Sequence, residues 1–381
     1  NSEFEMSEEA AAIVRQVHQL GPLQFAAMMR NQGADPRELI EILGASLLDV
    51  EEPAVLWSFL GKFLLRYVYT RPRLESLCSI EHAVETIRSA KNIVFLTGAG
   101  ISVSSGIPDF RSAGGLYSQI QSRHQLPQPE CMFDIEYFRE DPKPFFAFAR
   151  EIMPGQYKPS ATHMFIKRCE QEGKLLRQYT QNIDTIEELA GIERVVYCHG
   201  SFATATCLAC GVKYTFDEVK DLLGSGEVAY CTKCTMPEDA DGLANVVKPD
   251  IVFFGESLPK AFDVAIEQDA VAADLLVVIG SSLKVQPVAS IPDFLPPNVP
   301  QILINREPIG DHNFDLVLLG DADIVVSELS RRLGWIELEQ SAPIYDCRQG
   351  TYLFPGAVLP KDLSGDSECD EENAENLDSL N

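Results

Sequence analysis

Five short apolar runs, each bounded by polar or turn residues, constrain the fold of this chain of 381 residues more than any other feature. They are Asn92 to Thr97 (NIVFLT), Leu175 to Thr180 (LLRQYT), Arg194 to Cys198 (RVVYC), Asp274 to Ile279 (DLLVVI) and Gln301 to Ile304 (QILI). Runs that stay apolar without alternation are buried on both faces, as strands of a helix-covered parallel sheet are. Stretches from Ser160 to Glu172 and from about Ala322 to Leu333 have the helical apolar spacing to cover such a sheet. The expected fold is therefore α/β, a Rossmann-like, doubly wound parallel sheet. Hydrophobic residues make up 45% of the chain, enough for a sizeable core.

Other segments lie outside this pattern. Residues 1–70 read as a small helical module: Ile13, Val14, Val17 and Leu20 keep helical spacing. Asp35-Pro36-Arg37-Glu38 supplies an N-cap, a first-turn proline and a capping-box glutamate, so a helix is expected from Asp35. Another helix is expected from Ala54 to Tyr69, ending at a linker that contains Arg71-Pro72. Such a module is either a docking or regulatory element or a packing appendage. Residues 79–334 contain the sheet, interrupted at about 201–246 by a segment rich in cysteine and glycine that reads as an insertion. Residues 335–360 include GTYLFPGAV, strand-like around Pro355-Gly356 and suited to pairing with a sheet edge. Residues 361–381 are acidic and polar, the composition of a disordered tail.

The formal net charge of −26 argues against nucleic-acid binding, which requires a basic surface. It serves solubility, or favours a basic protein partner. No apolar run approaches the roughly 20 residues that span a bilayer, and no secretory signal pattern is apparent, so a soluble intracellular protein is expected. Among 10 cysteines, Cys207-x-x-Cys210 and Cys231-x-x-Cys234 form two pairs separated by 20 residues. This spacing points to a four-thiolate structural Zn2+ site in a small inserted module, with no open position for activating water.

Polar groups stand where the strands end. Gly98 to Arg111 (GAGISVSSGIPDFR) follows NIVFLT and reads as glycines leading into a helix start, an arrangement that admits a pyrophosphate. The usual fingerprint is not met, since Val103 stands at the third glycine position, and a plain tight turn remains the alternative. Gln181-Asn182-Ile183-Asp184 ends another strand, as a ligand-binding turn or a helix cap. His199 ends a third, as a proton acceptor or a structural histidine; four cysteines make it redundant as a metal ligand. Gly280-Ser281-Ser282 and Asn305-Arg306-Glu307 end two more. Together these ends imply a single cleft.

The ordered set of GAGISVSSGIPDFR, TQNID, CHGS, the paired cysteines, KPDIVFFGE, GSSLKV and INRE resembles the sirtuin family over roughly Ser79 to Leu333. Within it, the chain is similar to nuclear deacetylases that carry an activator-responsive N-terminal domain and a C-terminal regulatory segment pairing with the sheet. The resemblance implies NAD as a consumed co-substrate. Gly98, Ala99, Gly100, Ile107, Asp109, Phe110, Arg111 and Tyr117 would line its phosphate and ribose side. Gln181, Asn182, Ile183, Asp184 and His199 would hold the nicotinamide ribose region, and Gly280, Ser281, Ser282, Asn305, Arg306 and Glu307 the adenosine half. Ala322 stands where similar members have a cysteine near adenine. Val252, Phe253, Phe254, Gly255, Glu256, Lys284 and Val285 would clamp an acyl-lysine peptide as an added strand.

His199, as general base, and Asn182 would be catalytic. The implied reaction begins with attack of the acyl-lysine oxygen on the nicotinamide ribose. It releases nicotinamide, then transfers the acyl group to a ribose hydroxyl deprotonated by His199. Tyr117 is followed three residues later by Ile120, whereas family members that prefer acidic acyl groups have arginine there; the expected substrate is thus acetyl-lysine. Expected partners are acetylated proteins such as histone tails and transcription regulators, with small-molecule or protein regulators at the N-terminal module. The implied compartment is the nucleus, with cytoplasm as a second. An ADP-ribosyltransferase on the same fold is the alternative; an NAD-linked oxidoreductase and a silent binding module are further rivals.

Overall fold

The computed structural model describes residues 7–45, 52–107, 116–152, 157–234, 245–310, 312–337, 341–347 and 350–359. In chain order its strands are β1 (Ile93–Thr97), β2 (Leu175–Thr180), β3 (Val195–Tyr197), β4 (Gly200–Cys207), β5 (Lys213–Thr215) and β6 (Val247–Ile251). They continue with β7 (Leu275–Ile279), β8 (Gln301–Asn305), β9 (Leu316–Leu319), β10 (Tyr345–Asp346) and β11 (Thr351–Leu353). Eight form one sheet in the order β10-β11-β9-β8-β7-β1-β2-β3, parallel except for the β10–β11 pair. The five expected runs are all strands of it. Chain order reverses between β1 and β7, and open α/β sheets bind ligands beyond the strand ends at such a reversal.

Continuous apolar runs form these strands because both faces are covered. On one face, Phe95, Leu175, Ile279 and Ile304 pack with residues of the helices Ile80–Ser89, Ala161–Gln171 and Ala322–Leu333. On the other, Val94, Leu96, Val278 and Leu303 meet Phe262, Ile266 and Ile291 of the helices Lys260–Ala272 and Ile291–Phe294. β11, within the expected GTYLFPGAV segment, adds in parallel to β9. The tail from 361 onward lies outside the described residues.

A third core is made by two stretches distant in sequence. Phe138, Phe145 and Phe148, from the helices Ile135–Glu140 and Lys143–Glu151, pack with Phe202, Val219, Leu223 and Phe253. The antiparallel sheet β5-β4-β6 and the helix Phe216–Ser225 belong to this module, so it is more than the cysteine-bearing insertion.

The helices Glu8–Leu20, Pro22–Asn31, Pro36–Ile42 and Pro53–Phe63 close a separate core around Val17, Phe25, Ile40 and Leu60. Asp35 caps its helix by accepting from Arg37 N at 2.9 Å. The helix expected over Ala54 to Tyr69 changes to a π turn over Leu64–Val68. In the linker, the buried Arg71 guanidinium meets Asp315 at 2.7 Å. No helix among the described residues is long and apolar enough to cross a membrane.

Candidate active site

The ends of β1, β2, β3, β7 and β8 open into a cavity of about 770 Å³. Ala99, Gln181, Asn182, Ile183, Asp184, His199, Gly280, Ser281, Ser282, Asn305, Arg306 and Glu307 line it. The opposite wall comes from the small module: Phe133, Phe148, Ile152 and the 251–258 segment. A parallel sheet brings residues far apart in sequence to one edge because all its strands end on the same side.

The glycines at this edge serve the protein first. Gly100 N donates to Gly280 O at 2.9 Å, and a Cβ on Gly100 would lie 2.5 Å from Gly280 Cα. A Cβ on Gly98 would lie 2.8 Å from Gly280 O. Two loops thus cross backbone on backbone, with Gly280 at φ +63°. Among the described residues of this stretch, 98–107, no α-helix starts: Ala99–Ile101 is one 3-10 turn, and turns continue to Gly106. Pro108 follows, disfavouring helix at Ile107, which is buried.

Beyond β2 the side chains interlock. Asn182 Nδ2 donates to Ser102 Oγ at 3.1 Å, and Ser102 Oγ donates to Asp184 Oδ2 at 2.8 Å. This fixes the Asn182 amide, with Nδ2 toward Ser102 and Oδ1 turned away. Asp184 Oδ1 accepts from Ile186 N at 3.0 Å, while burial pushes its carboxyl above the usual carboxylate range. Thr185, at φ +61°, makes the sharp turn into the helix Ile186–Leu189.

His199 Nδ1 lies 3.1 Å from Gln181 O. A carbonyl only accepts, so Nδ1 carries the proton and Nε2 is the basic nitrogen. The next residue must be glycine: Gly200 has φ +67°, and its Cβ would meet Asp250 O at 1.9 Å. Gln181 Oε1 accepts from Ser281 Oγ at 2.7 Å, tying the β2 end to the β7 end.

The residues expected to clamp a peptide divide into two sets. Phe253 is buried in an aromatic cluster, 5.2 Å from Phe138 and 5.0 Å from Phe145. Glu256 pairs with buried Lys248 at 2.9 Å and accepts from Phe253 N at 2.8 Å. Phe254 N donates to Phe133 O at 2.7 Å. These groups brace the wall internally, although all three line the cavity with Val252 and Gly255. Lys284 is exposed and Val285 half-buried on the facing rim.

Cys207, Cys210, Cys231 and Cys234 converge, with all sulfur atoms within 4.8 Å of one another. The Cys207–Cys234 and Cys210–Cys231 separations are 3.8 Å each. A tetrahedron with Zn–S bonds of ~2.3 Å has edges of roughly 3.8 Å, so the donor set fits zinc in size as well as chemistry. Such a site is closed and structural.

The Sir2 family model matches residues 98–287. The chain is 48% identical over 318 residues to human NAD-dependent protein deacetylase sirtuin-1, covering 83% of this chain and 42% of that protein. It is 46% identical over 317 residues to NAD-dependent protein deacetylase sir-2.1 of Caenorhabditis elegans, covering 82% of this chain and 51% of the relative. It is 43% identical over 321 residues to NAD-dependent histone deacetylase sirtuin-1 of Drosophila melanogaster, covering 79% and 39%. The chain belongs to the Sir2 family. It spans less than two thirds of each of these relatives.

The Sir2 match includes the segments after β1, β2, β3 and β7 and all four cysteines, whereas Asn305, Arg306 and Glu307 after β8 lie beyond it. Asp109, Phe110 and Arg111 lie outside the described residues, as does the side chain of Tyr117. Gly98, Gly100 and Ile107 are not among the residues that line the cavity, Gly98 and Ile107 being buried and Gly100 exposed elsewhere, and Ala322 packs against the sheet core. Ile120 is buried in the small-module core. Sequence reasoning did not single out Ser102, Thr180 or Glu187; the first lies inside the quoted glycine stretch and the second heads TQNID.

Proposed function

We propose that this chain is an NAD-dependent protein-lysine deacetylase, converting acetyl-lysine, NAD and one water to lysine, nicotinamide and 2'-O-acetyl-ADP-ribose. One observation carries the reading: His199, its tautomer set by the Gln181 carbonyl, faces a cavity fed by five strand ends. The relatives, NAD-dependent protein and histone deacetylases by name, support the same chemistry.

In this reading NAD is a substrate. The glycine crossing shapes the floor, and Ser281, Ser282, Asn305 and Arg306 bind its adenosine half. Asn182 and Asp184, fixed through Ser102, orient the nicotinamide ribose. His199 Nε2 accepts the proton of a ribose hydroxyl, freeing that oxygen to take the acyl group. The acetyl-lysine side chain reaches the centre along the small-module wall, with its peptide between Gly255 and Lys284-Val285. Apolar Phe133, Phe148 and Ile152 at that wall suit a neutral acyl group. Substrates are acetylated proteins, including histone tails and transcription regulators, acted on in the nucleus. The segments 1–70 and 335–360 are regulatory additions to a catalytic region at 79–334.

Mass analysis of an acetyl-lysine peptide incubated with NAD and the full chain tests this. Loss of the acetyl group with equimolar acetyl-ADP-ribose is expected, and His199→Ala should lower the rate at least ~100-fold. An unchanged peptide, or ADP-ribose attached to protein, would overturn it.

A further inference from the structure

Glu187 is fully buried beneath the turn that carries Asn182 and Asp184, in the helix Ile186–Leu189. Three other buried acids meet cations, namely Asp315 with Arg71, Asp269 with Arg177, and Glu328 with Arg331 and Arg332, whereas Asp184 is held by the neutral donors Ser102 and Ile186. Among the described residues, no cation is paired with Glu187. Its neighbours are polar or acidic. Gln178 Nε2, on β2, donates to Glu187 Oε1 at a long 3.4 Å and to Thr97 Oγ1, at the end of β1, at 3.0 Å. Glu187 Oε2, Gln178 Oε1 and the Tyr197 hydroxyl of β3 are buried without partners.

An unpaired carboxylate in such surroundings would cost several kcal/mol, and the group keeps its proton instead. Burial, then the charge of Asp184, pushes the Glu187 carboxyl up to about 8. Of this acidic pair, Asp184 has the better claim to the negative charge, because Ser102 and Ile186 both donate to it. The remaining titratable neighbours are Glu188, Tyr197 and Cys198. Burial raises Tyr197 and Cys198 well above their ordinary ranges, so neither titrates near neutrality.

The carboxyl is connected to the strand ends through Gln178, which also holds Thr97, and to the site turn through its own helix, whose first residue, Ile186, donates its N–H to Asp184. Glu187 thereby joins the ends of β1 and β2 to the turn holding the Asn182–Ser102–Asp184 chain. We propose that Glu187 is a positioning residue that, as a neutral acid, holds the 181–184 turn in its reactive geometry. This rests on the deacetylase reading above.

The proton count gives the sign. The folded chain keeps a proton on Glu187 that the unfolded chain releases above the ordinary glutamate value of 4.5. Stability therefore falls as pH rises through this window and levels off above about 8.

The test compares wild type, Glu187→Gln and Glu187→Ala from pH 6 to 9.5, recording kcat, KM for NAD and melting temperature. Glu187→Ala should lose at least about tenfold in kcat/KM at pH 7, and Glu187→Gln should recover most of it because its amide preserves a neutral hydrogen-bonding group. Wild-type kcat/KM for NAD should decline above pH 8, and its melting temperature should fall between pH 6 and 8. Both trends should be absent in Glu187→Gln. A glutamine variant as impaired as alanine at pH 7, or one with the wild-type alkaline decline, would overturn the proposal. If wild type deacetylates nothing, the functional reading fails; melting slopes that match in wild type and Glu187→Gln would still overturn the neutral acid.

Discussion

In the eight-stranded sheet, β1 and β7 are buried at every position, whereas β4 of the small module is only half-buried along most of its length. The sheet is held by apolar cover on two faces and needs no other support. The small module has an aromatic base around Phe138, Phe145 and Phe253, but its far end is gathered by four cysteines. β4 spans the difference: His199 immediately precedes its first residue, and Cys207 is its last. The placement of His199 therefore depends on both kinds of support. A base placed between a self-sufficient sheet and a metal-held module can be lost without unfolding the sheet.

The largest expected effect comes from breaking the weaker side of that comparison. A structural zinc site contributes on the order of 10 kcal/mol to the fold it closes. Cys231→Ser, or strong chelation, should therefore release the tip of the small module and split thermal unfolding into two transitions. The later transition should match that of the untreated sheet, and deacetylation should fall at least ~100-fold as the end of β4 is freed. Calorimetry beside the peptide assay reads both. A single unshifted transition with full activity would mean that the aromatic base holds the module unaided.

The sheet side breaks at the glycine crossing. Gly100→Ala places a methyl 2.5 Å from Gly280 Cα, with backbone on both sides and no flexible side chain to yield. The expected loss is about 3 kcal/mol, at the upper end for overpacking, and is to be measured by denaturant titration. NAD affinity should fall with it, because the displaced loops form the cavity floor. Unchanged stability would show that the crossing is loose.

Sequence legibility follows the same division. β1, β7 and β8 are readable because burial on both faces leaves an uninterrupted apolar run, whereas in β2 Arg177 and Gln178 interrupt it. β9, Leu316–Leu319, is an apolar run as long as QILI, yet sequence reasoning did not single it out. β4, with the sequence GSFATATC, mixes small and polar residues and read as part of an insertion. The third core was hidden because Phe138 and Phe145 meet partners, Phe202 and Phe253, far along the chain. Strand ends showed which groups share a cleft, but only coordinates show why Gly98 and Gly100 are small: they make room for Gly280, where a pyrophosphate was expected to be the reason. Glu187 carries no sequence signature at all, since an acid near a helix start usually faces water.

The smallest effect sharpens the contrast from within the small module. Gly224 lies in the helix Phe216–Ser225, and a Cβ there meets nothing within 4 Å. Its backbone has no positive φ to protect, unlike Gly226, which ends the helix at φ +74°. Gly224→Ala should therefore stabilise this helix by about 0.5–1 kcal/mol through reduced freedom of the unfolded chain. Because the sheet unfolds independently once the metal is gone, the gain should appear only in the earlier transition of chelated protein. A gain shared equally by both transitions would mean that the two regions unfold together.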